Sequence, residues 1–173
     1  IMADRTIVLD HLKFSYEGIF NATEFYALIP EFFYNRNWDW HEKLNEEIIT
    51  QKGKQIKLVF EPWKSVSDYY KMNLRVQVII SDLKDVEIEH DGEQLRLNQG
   101  LMKITIDGFI INDRNGLWHV KDKPFYWFLT VIFDRYLFKR NFEKFERWVK
   151  HDVDELLYQM KTFLNVYKYS EHV

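Results

Sequence analysis

The sequence predicts an α+β domain in which a curved antiparallel sheet of about seven strands wraps around one long C-terminal helix. Through most of the chain before Asn112, apolar residues occupy every second position, which is the period of a strand with one buried face. Pairs of turn-forming residues separate these alternating runs. From Phe142 to Tyr167 the apolar spacing changes to three and four residues, which indicates an amphipathic helix.

The first two elements are a strand and a short helix. Apolar and polar residues alternate from Val8 to Phe20, which predicts the opening strand. Asn21 precedes Glu24 by three residues, which is the spacing of a capping box at the start of a helix. Pro30 lacks a backbone donor, so we expect it to kink or divide this helix.

The segment Trp38–Gln51 is compatible with two structures. Trp40, Leu44 and Ile48 are four residues apart, as they would be along one side of a helix. The same residues would also share one face of a strand. We favour the strand, because Gly53 provides a turn into a second alternating run and a hairpin results.

The later part of the chain predicts further antiparallel strands. The clearest is Tyr70–Ile80, in which every even position is apolar. The pair Asp91 and Gly92 tolerates positive φ angles and predicts a tight hairpin between two short strands. Another strand follows Gly100, and Leu117–Val120 is expected to be the last. The short connections favour antiparallel pairing of neighbours.

The C-terminal helix is predicted to begin near Asp122 and Pro124, which suit the N-cap and the first turn. The run Phe125–Phe133 is apolar on almost all sides, so we favour burial on more than one side. The alternatives are a hydrophobic gate, a shallow membrane-contact element, or a docking surface for a partner or a second copy. At ~1.5 Å per residue, the stretch from Phe142 to Tyr167 would extend close to 40 Å and could cross a whole sheet.

This order of elements resembles the helix-grip, or START-like (SRPBCC), superfamily. The resemblance covers Val8 to Tyr167 and rests on the element order and the terminal helix. It implies an apolar cavity between sheet and helix that holds lipids, sterols, polyketides or aromatic compounds. Some members of the superfamily catalyse cyclisation and others bind partner proteins. No functional residue is carried over, because the superfamily has no shared catalytic motif.

Composition narrows the possible functions. Aromatic residues make up 17% of the chain, which suits a thick core or the lining of an apolar cavity. The 24 basic and 27 acidic residues are interspersed, so no nucleic-acid partner is expected. The longest apolar run is about half of the ~20 residues that a membrane span requires, so no transmembrane segment is expected. The absence of cysteine is typical of a reducing cytoplasm. We treat residues 2–173 as a single domain and leave out Ile1, which precedes Met2.

Catalytic and metal chemistry have little support in the sequence. If even positions face inward, Glu42 and Glu46 would project into the interior, where a buried carboxylate could act as a base. Glutamate is rarely fully buried, so we favour solvated side chains. The six histidines show no metal-ligand spacing, and we expect neither a metal nor another cofactor. His119 either lines the mouth of a cavity or is an ordinary strand residue.

We therefore expect a binding protein that holds a hydrophobic, lipid-like or aromatic, small molecule without transforming it. One alternative is a protein-interaction module without a cavity, and another is a cyclase- or hydrolase-like enzyme that uses Glu42 or His119. No catalytic residue is assigned. The predicted ligand-binding residues are Phe14, Tyr16, Trp40, Glu42, Met72, Leu74, Ile104, His119, Phe128, Phe145 and Val149.

Overall fold

A computed structural model describes residues 4–65, 70–112 and 124–166, with side chains at 5–65, 70–111 and 142–166. Within these ranges the fold is α+β, with a six-stranded antiparallel sheet and two helices. The elements in chain order are β1 (Asp4–Phe20), α1 (Ala22–Asn35), β2 (Glu42–Thr50), β3 (Gly53–Phe60), β4 (Trp63–Ser65), β5 (Tyr70–His90), β6 (Glu93–Asn112) and α2 (Pro124–Asn165).

The sheet is built around the β5–β6 hairpin. Its strand order is β1-β6-β5-β3-β2, and the short β4 also pairs with β5. Asp91 and Gly92 form the two-residue loop of the hairpin with φ angles of 52° and 81°, which confirms the predicted tight turn. The short strands predicted on either side of this turn are the ends of β5 and β6. The described sheet therefore has six strands rather than about seven, and Leu117–Val120 lies outside the described residues.

A β-bulge in β5 reverses which of its side chains face the main core. The register with β6 shifts between Ser81 and Lys84, and Asp82 has a φ of 55°. Before the bulge, the even-numbered side chains of β5 are buried in the main core. After it, Ile88 packs with Leu97 and Ile19 in a second, smaller apolar cluster.

Helix α1 follows the predicted capping pattern. The side-chain oxygen of Asn21 accepts a hydrogen bond from the backbone N–H of Glu24 at 3.2 Å. The helix runs through Pro30 to Asn35, so the proline does not divide it. Its buried side is aromatic and aliphatic, and consists of Phe25, Ile29, Phe32 and Phe33. The segment Trp38–Gln51, which was compatible with a helix or a strand, contains β2, and this confirms the strand interpretation.

Helix α2 is one continuous element of 42 residues. At ~1.5 Å per residue it is about 63 Å long. A single apolar stripe of its described part lies in the same core as the inward side chains of β5 and β6: Phe145, Val149, Val153, Leu156, Met160 and Leu164. The side chains of Phe125–Phe133 and residue Tyr167 lie outside the described residues. Neither helix has a described stretch that is long and apolar enough to span a bilayer.

A polar cluster joins the C-terminal end of α1 to the middle of α2, and we call it the α1–α2 clasp. The indole N–H of Trp38 donates to Asp152 at 3.1 Å. The guanidinium of Arg36 lies 3.9 Å from Asp152 and 2.6 Å from Glu155. The Trp38 side chain is buried against Phe33. The clasp therefore holds the C-terminal end of α1 against α2.

Candidate ligand pocket

A pocket lies between α1 and the inner face of the sheet. Its volume is about 410 Å³ and it is partly open to solvent. This volume falls within the usual range for small-molecule sites. Its described lining comes from α1 (Ala22, Thr23, Phe25, Tyr26, Ile29), β2 (Asn45, Glu47), β3 (Lys54, Ile56, Leu58), β5 (Ile80, Leu83, Asp85) and β6 (Asn98).

The floor of the pocket is apolar because it is the continuation of the core. Leu58 and Ile80 are buried side chains of adjacent strands, and Ile56 pairs directly with Ile80. On the opposite side, Phe25 and Ile29 come from the buried stripe of α1. Apolar groups therefore face each other across the pocket, which favours an apolar ligand body.

The rim of the pocket is polar at both ends. At one end, Asn98 donates to Asp85 at 2.9 Å and accepts from the backbone N–H of Ala22 at 3.1 Å. At the other end, the ammonium of Lys54 lies 3.2 Å from a carboxylate oxygen of Glu47, and both side chains are half-exposed. The exposed Lys54–Glu47 pair contributes little to stability, so its two charges are available to a ligand.

Tyr26 is one of the lining residues of the pocket, and Glu42 is its hydrogen-bond partner. The hydroxyl of Tyr26 donates to Glu42 at 2.9 Å, and its ring packs edge-on against Phe60. Burial, reinforced by the neighbouring Glu42 carboxylate, raises the pKa of Tyr26 above its ordinary value of 10.0. Tyr26 therefore stays protonated at neutral pH and acts as a hydrogen-bond donor.

The chemical groups of the pocket are suited to binding. Its described lining contains no histidine, cysteine or serine, and its two carboxylates, Glu47 and Asp85, are paired with Lys54 and Asn98. The arrangement can hold an apolar group and orient polar groups at its rim.

Most of the residues predicted to bind a ligand lie in the core, and none of the described ones lines this pocket. Met72, Leu74, Ile104 and Val149 are fully buried, and Phe145 is 6% exposed. The half-buried members Phe14, Tyr16 and Trp40 pack against the same core. Glu42 and Glu46 are exposed. His119 and the side chain of Phe128 lie outside the described residues.

The sequence interpretation missed Asn45 and Glu47, because it assigned the inward positions of β2 to even numbers. A register shift between Glu42 and Leu44 reverses the alternation, so Asn45 pairs with the inward-facing Leu58. Glu47 pairs with Ile56 in the same way. The only signal in the sequence is the doublet Glu46-Glu47 followed by Ile48-Ile49, which departs from strict alternation.

One other cluster of described residues has the composition of a metal site. Asp10, His11 and Asp107 each offer a ligand atom, and these atoms lie within 4.8 Å of one another. A single oxygen of Asp107 accepts a hydrogen bond from the backbone N–H of His11 at 2.8 Å and lies 2.8 Å from the ring Nδ1 of the same residue. His11 has a φ of 49° in a bulged part of β1. We interpret the contact as the closure of this bulge.

Comparison with known proteins gives no relative for this fold and pocket. No family model, no curated protein and no solved structure matches the chain.

Proposed function

We propose that this chain is a binding protein for a small amphipathic molecule, and that the pocket between α1 and the sheet is its site. The observation that carries the proposal is a 410 Å³ space with an apolar floor and a polar rim. This volume lies near the lower end of the range for small-molecule sites, which fits a small ring system or a short aliphatic chain. Affinity would come from apolar burial, and the rim would set the orientation.

The rim indicates the polar part of the ligand. A carboxylate group on the ligand would pair with Lys54, and an amino group would pair with Glu47. The Asn98–Asp85 pair offers both donors and acceptors at the other end. A molecule with a polar group at one or both ends and an apolar middle fits these positions.

We also propose that the arrangement of sheet and α2 is of the helix-grip type, and that the protein is cytoplasmic. The element order and the shared core of α2 with the inner face support the first part.

A matched pair of substitutions on α1 tests the site. Thr23 and Ala27 are both exposed, but only Thr23 lines the pocket. We expect Thr23→Trp to fill the pocket mouth and to weaken binding of a fluorescent amphipathic probe, anilinonaphthalene sulfonate, by about tenfold or more. Ala27→Trp should leave the affinity unchanged. Circular dichroism would verify that both variants are folded.

Native mass spectrometry of the purified protein and a thermal-shift screen of fatty acids, aromatic acids and amines would identify the ligand class. The proposal is wrong if no compound binds the folded protein, or if the Thr23 and Ala27 variants bind equally well.

A second candidate function is self-association through β2. This strand pairs with β3 on one side and is an edge of the described sheet. Ile48 and Ile49 are 59% and 76% exposed, which is unusual on an edge strand. Pairing with β2 of a second copy would bury both. Sedimentation velocity should show a dimer that Ile49→Lys abolishes, and a monomer at all accessible concentrations would exclude this function.

A further inference from the structure

The face of the sheet opposite the pocket carries a concentration of positive charge. We call it the outer face and define it by the odd-numbered side chains of β5 and β6 from Lys71 to Ile79 and from Lys103 to Ile111, with their neighbours in β1, β3 and β4. The even-numbered side chains of the same strands are buried in the core. Six positions on the outer face carry a cation: Arg5, Lys13, Lys57, Lys71, Arg75 and Lys103.

These cations have few anionic neighbours. Four carboxylates lie on the same side in the described strands: Glu17, Glu46, Asp107 and Asp10, whose oxygen is within 4.8 Å of an oxygen of Asp107. Asp107 is the register partner of Arg75, and Glu46 is the register partner of Lys57. One oxygen of Asp107, Oδ1, is in contact with His11. In the part of the chain that the structure describes, none of the six cations forms an ion pair. The outer face therefore has an excess of positive charge, with six cations against four carboxylates.

Aromatic rings lie among these cations. The guanidinium carbon of Arg5 is 3.5 Å from the centre of the Phe109 ring, and the ammonium of Lys71 is 3.8 Å from the centre of the Trp63 ring. Arg5 is exposed, so its planar group offers its second side to solvent. Bases of single-stranded nucleic acids stack on aromatic rings and on guanidinium planes of this kind.

We propose that the outer face binds single-stranded nucleic acid. The unpaired cations contact phosphates, and the Arg5–Phe109 stack receives a base. The six cations lie on four adjacent strands, β1, β6, β5 and β3, which span about 14 Å at ~4.8 Å per strand gap and are broader than a duplex groove of ~12 Å. This geometry favours a single strand over a duplex, and the interleaved aromatics favour it over a featureless acidic polymer.

The experiment measures binding of a fluorescein-labelled oligonucleotide of about twenty nucleotides by anisotropy, at about 50 mM salt. The test variant Lys57→Gln/Arg75→Gln/Lys103→Gln removes three exposed cations from the outer face. The matched control Lys52→Gln/Lys144→Gln/Arg147→Gln removes three exposed cations elsewhere, so the net charge changes equally. We expect the test variant to lose most of its affinity and its salt dependence to fall by about two, since each single-strand phosphate contact contributes ~0.7 to the slope.

A second variant separates stacking from charge. Arg5→Lys keeps the positive charge but removes the planar group, so we expect affinity to fall about fivefold with an unchanged salt dependence. Three results would overturn the proposal: no binding to the wild type, an equal loss in test and control variants, or equal binding of poly-glutamate or phosphatidylserine vesicles. Because the pocket lies on the other face, the anilinonaphthalene sulfonate affinity of the test variant should be unchanged.

Discussion

Removal of the Asp152 carboxylate should destabilise the protein, because Asp152 accepts the hydrogen bond that holds α1 to α2. In Asp152→Ala, the indole N–H of Trp38 loses its acceptor at a position where the side chain is only 4% exposed. A buried donor without a partner costs about 1–3 kcal/mol. Loss of the longer contact to Arg36 adds about 0.5 kcal/mol, since both side chains are partly exposed. We expect the free energy of unfolding to fall by about 2–3 kcal/mol.

The measurement is urea unfolding followed by circular dichroism. Asp154→Ala is the matched control, because Asp154 is an exposed aspartate on the same helix outside the clasp. Both changes remove one negative charge and introduce the same helix former. The control should change stability by less than about 0.5 kcal/mol. Scanned thermally, Asp152→Ala should melt about 5–10 °C below the wild type for a chain of this length.

A double-mutant cycle isolates the hydrogen bond from other effects of the substitution. Trp38→Phe removes the donor and keeps an aromatic ring, so the coupling energy between Trp38→Phe and Asp152→Ala should be about 1–2 kcal/mol. Asp152→Asn retains an oxygen acceptor without the charge and should lose roughly half as much stability as Asp152→Ala. Equal stabilities of Asp152→Ala and Asp154→Ala, or a coupling energy near zero, would refute the role of the clasp.

Three further predictions concern turns and titration. Gly53→Ala should destabilise the protein by about 2–3 kcal/mol, because φ is 134° and the added Cβ would lie 2.8 Å from a main-chain oxygen of β5. Gly92→Ala should cost only about 1 kcal/mol, since its φ is 81° and no atom lies within 4 Å; equal losses in urea unfolding would contradict this difference. The clasp guanidinium holds the pKa of Glu155 below its ordinary value of 4.5. The ionised Glu155 carboxylate therefore stabilises the folded state above pH 4.5, and this stabilisation is lost as the pH falls through the lowered pKa of the folded state. The stability difference between wild type and Glu155→Gln should shrink on acidification, and a pH-independent difference would contradict the assignment. Glu42→Gln should lower the raised pKa of Tyr26 only in part, because burial remains the larger cause. The titration is followed by NMR of the ring carbons with Tyr26→Phe to identify the signal, and an unchanged pKa would exclude the influence of Glu42.

Much of the fold could be predicted because its signals are local. The alternation from Tyr70 to Ile80 determines which side chains are buried, and the Asp91-Gly92 pair determines the hairpin. The Asn21 cap is visible as a three-residue spacing. Each of these patterns depends on neighbours in the sequence and needs no knowledge of distant residues.

The strand count and the pocket could not be predicted because both depend on β-bulges. The bulge between Ser81 and Lys84 interrupts the alternation of one continuous strand, which made β5 look like two strands. The bulge between Glu42 and Leu44 turns Glu47 toward α1. A single extra residue reverses every following side chain, and its position depends on the partner strand.

The distribution of charged side chains between the two faces of the sheet also depends on strand alternation. Lys13, Lys57 and Lys103 are separated in the sequence by acidic residues and lie within a chain of net charge −3. Strand alternation places all three on the outer face, whereas acidic residues such as Asp154 lie on α2. A sheet therefore separates charges that appear mixed along the chain, because side chains one residue apart point to opposite faces. Net charge and local charge runs consequently cannot exclude a polyanionic partner for an open sheet, and the salt dependence of binding by the outer-face variants is the measurement that decides.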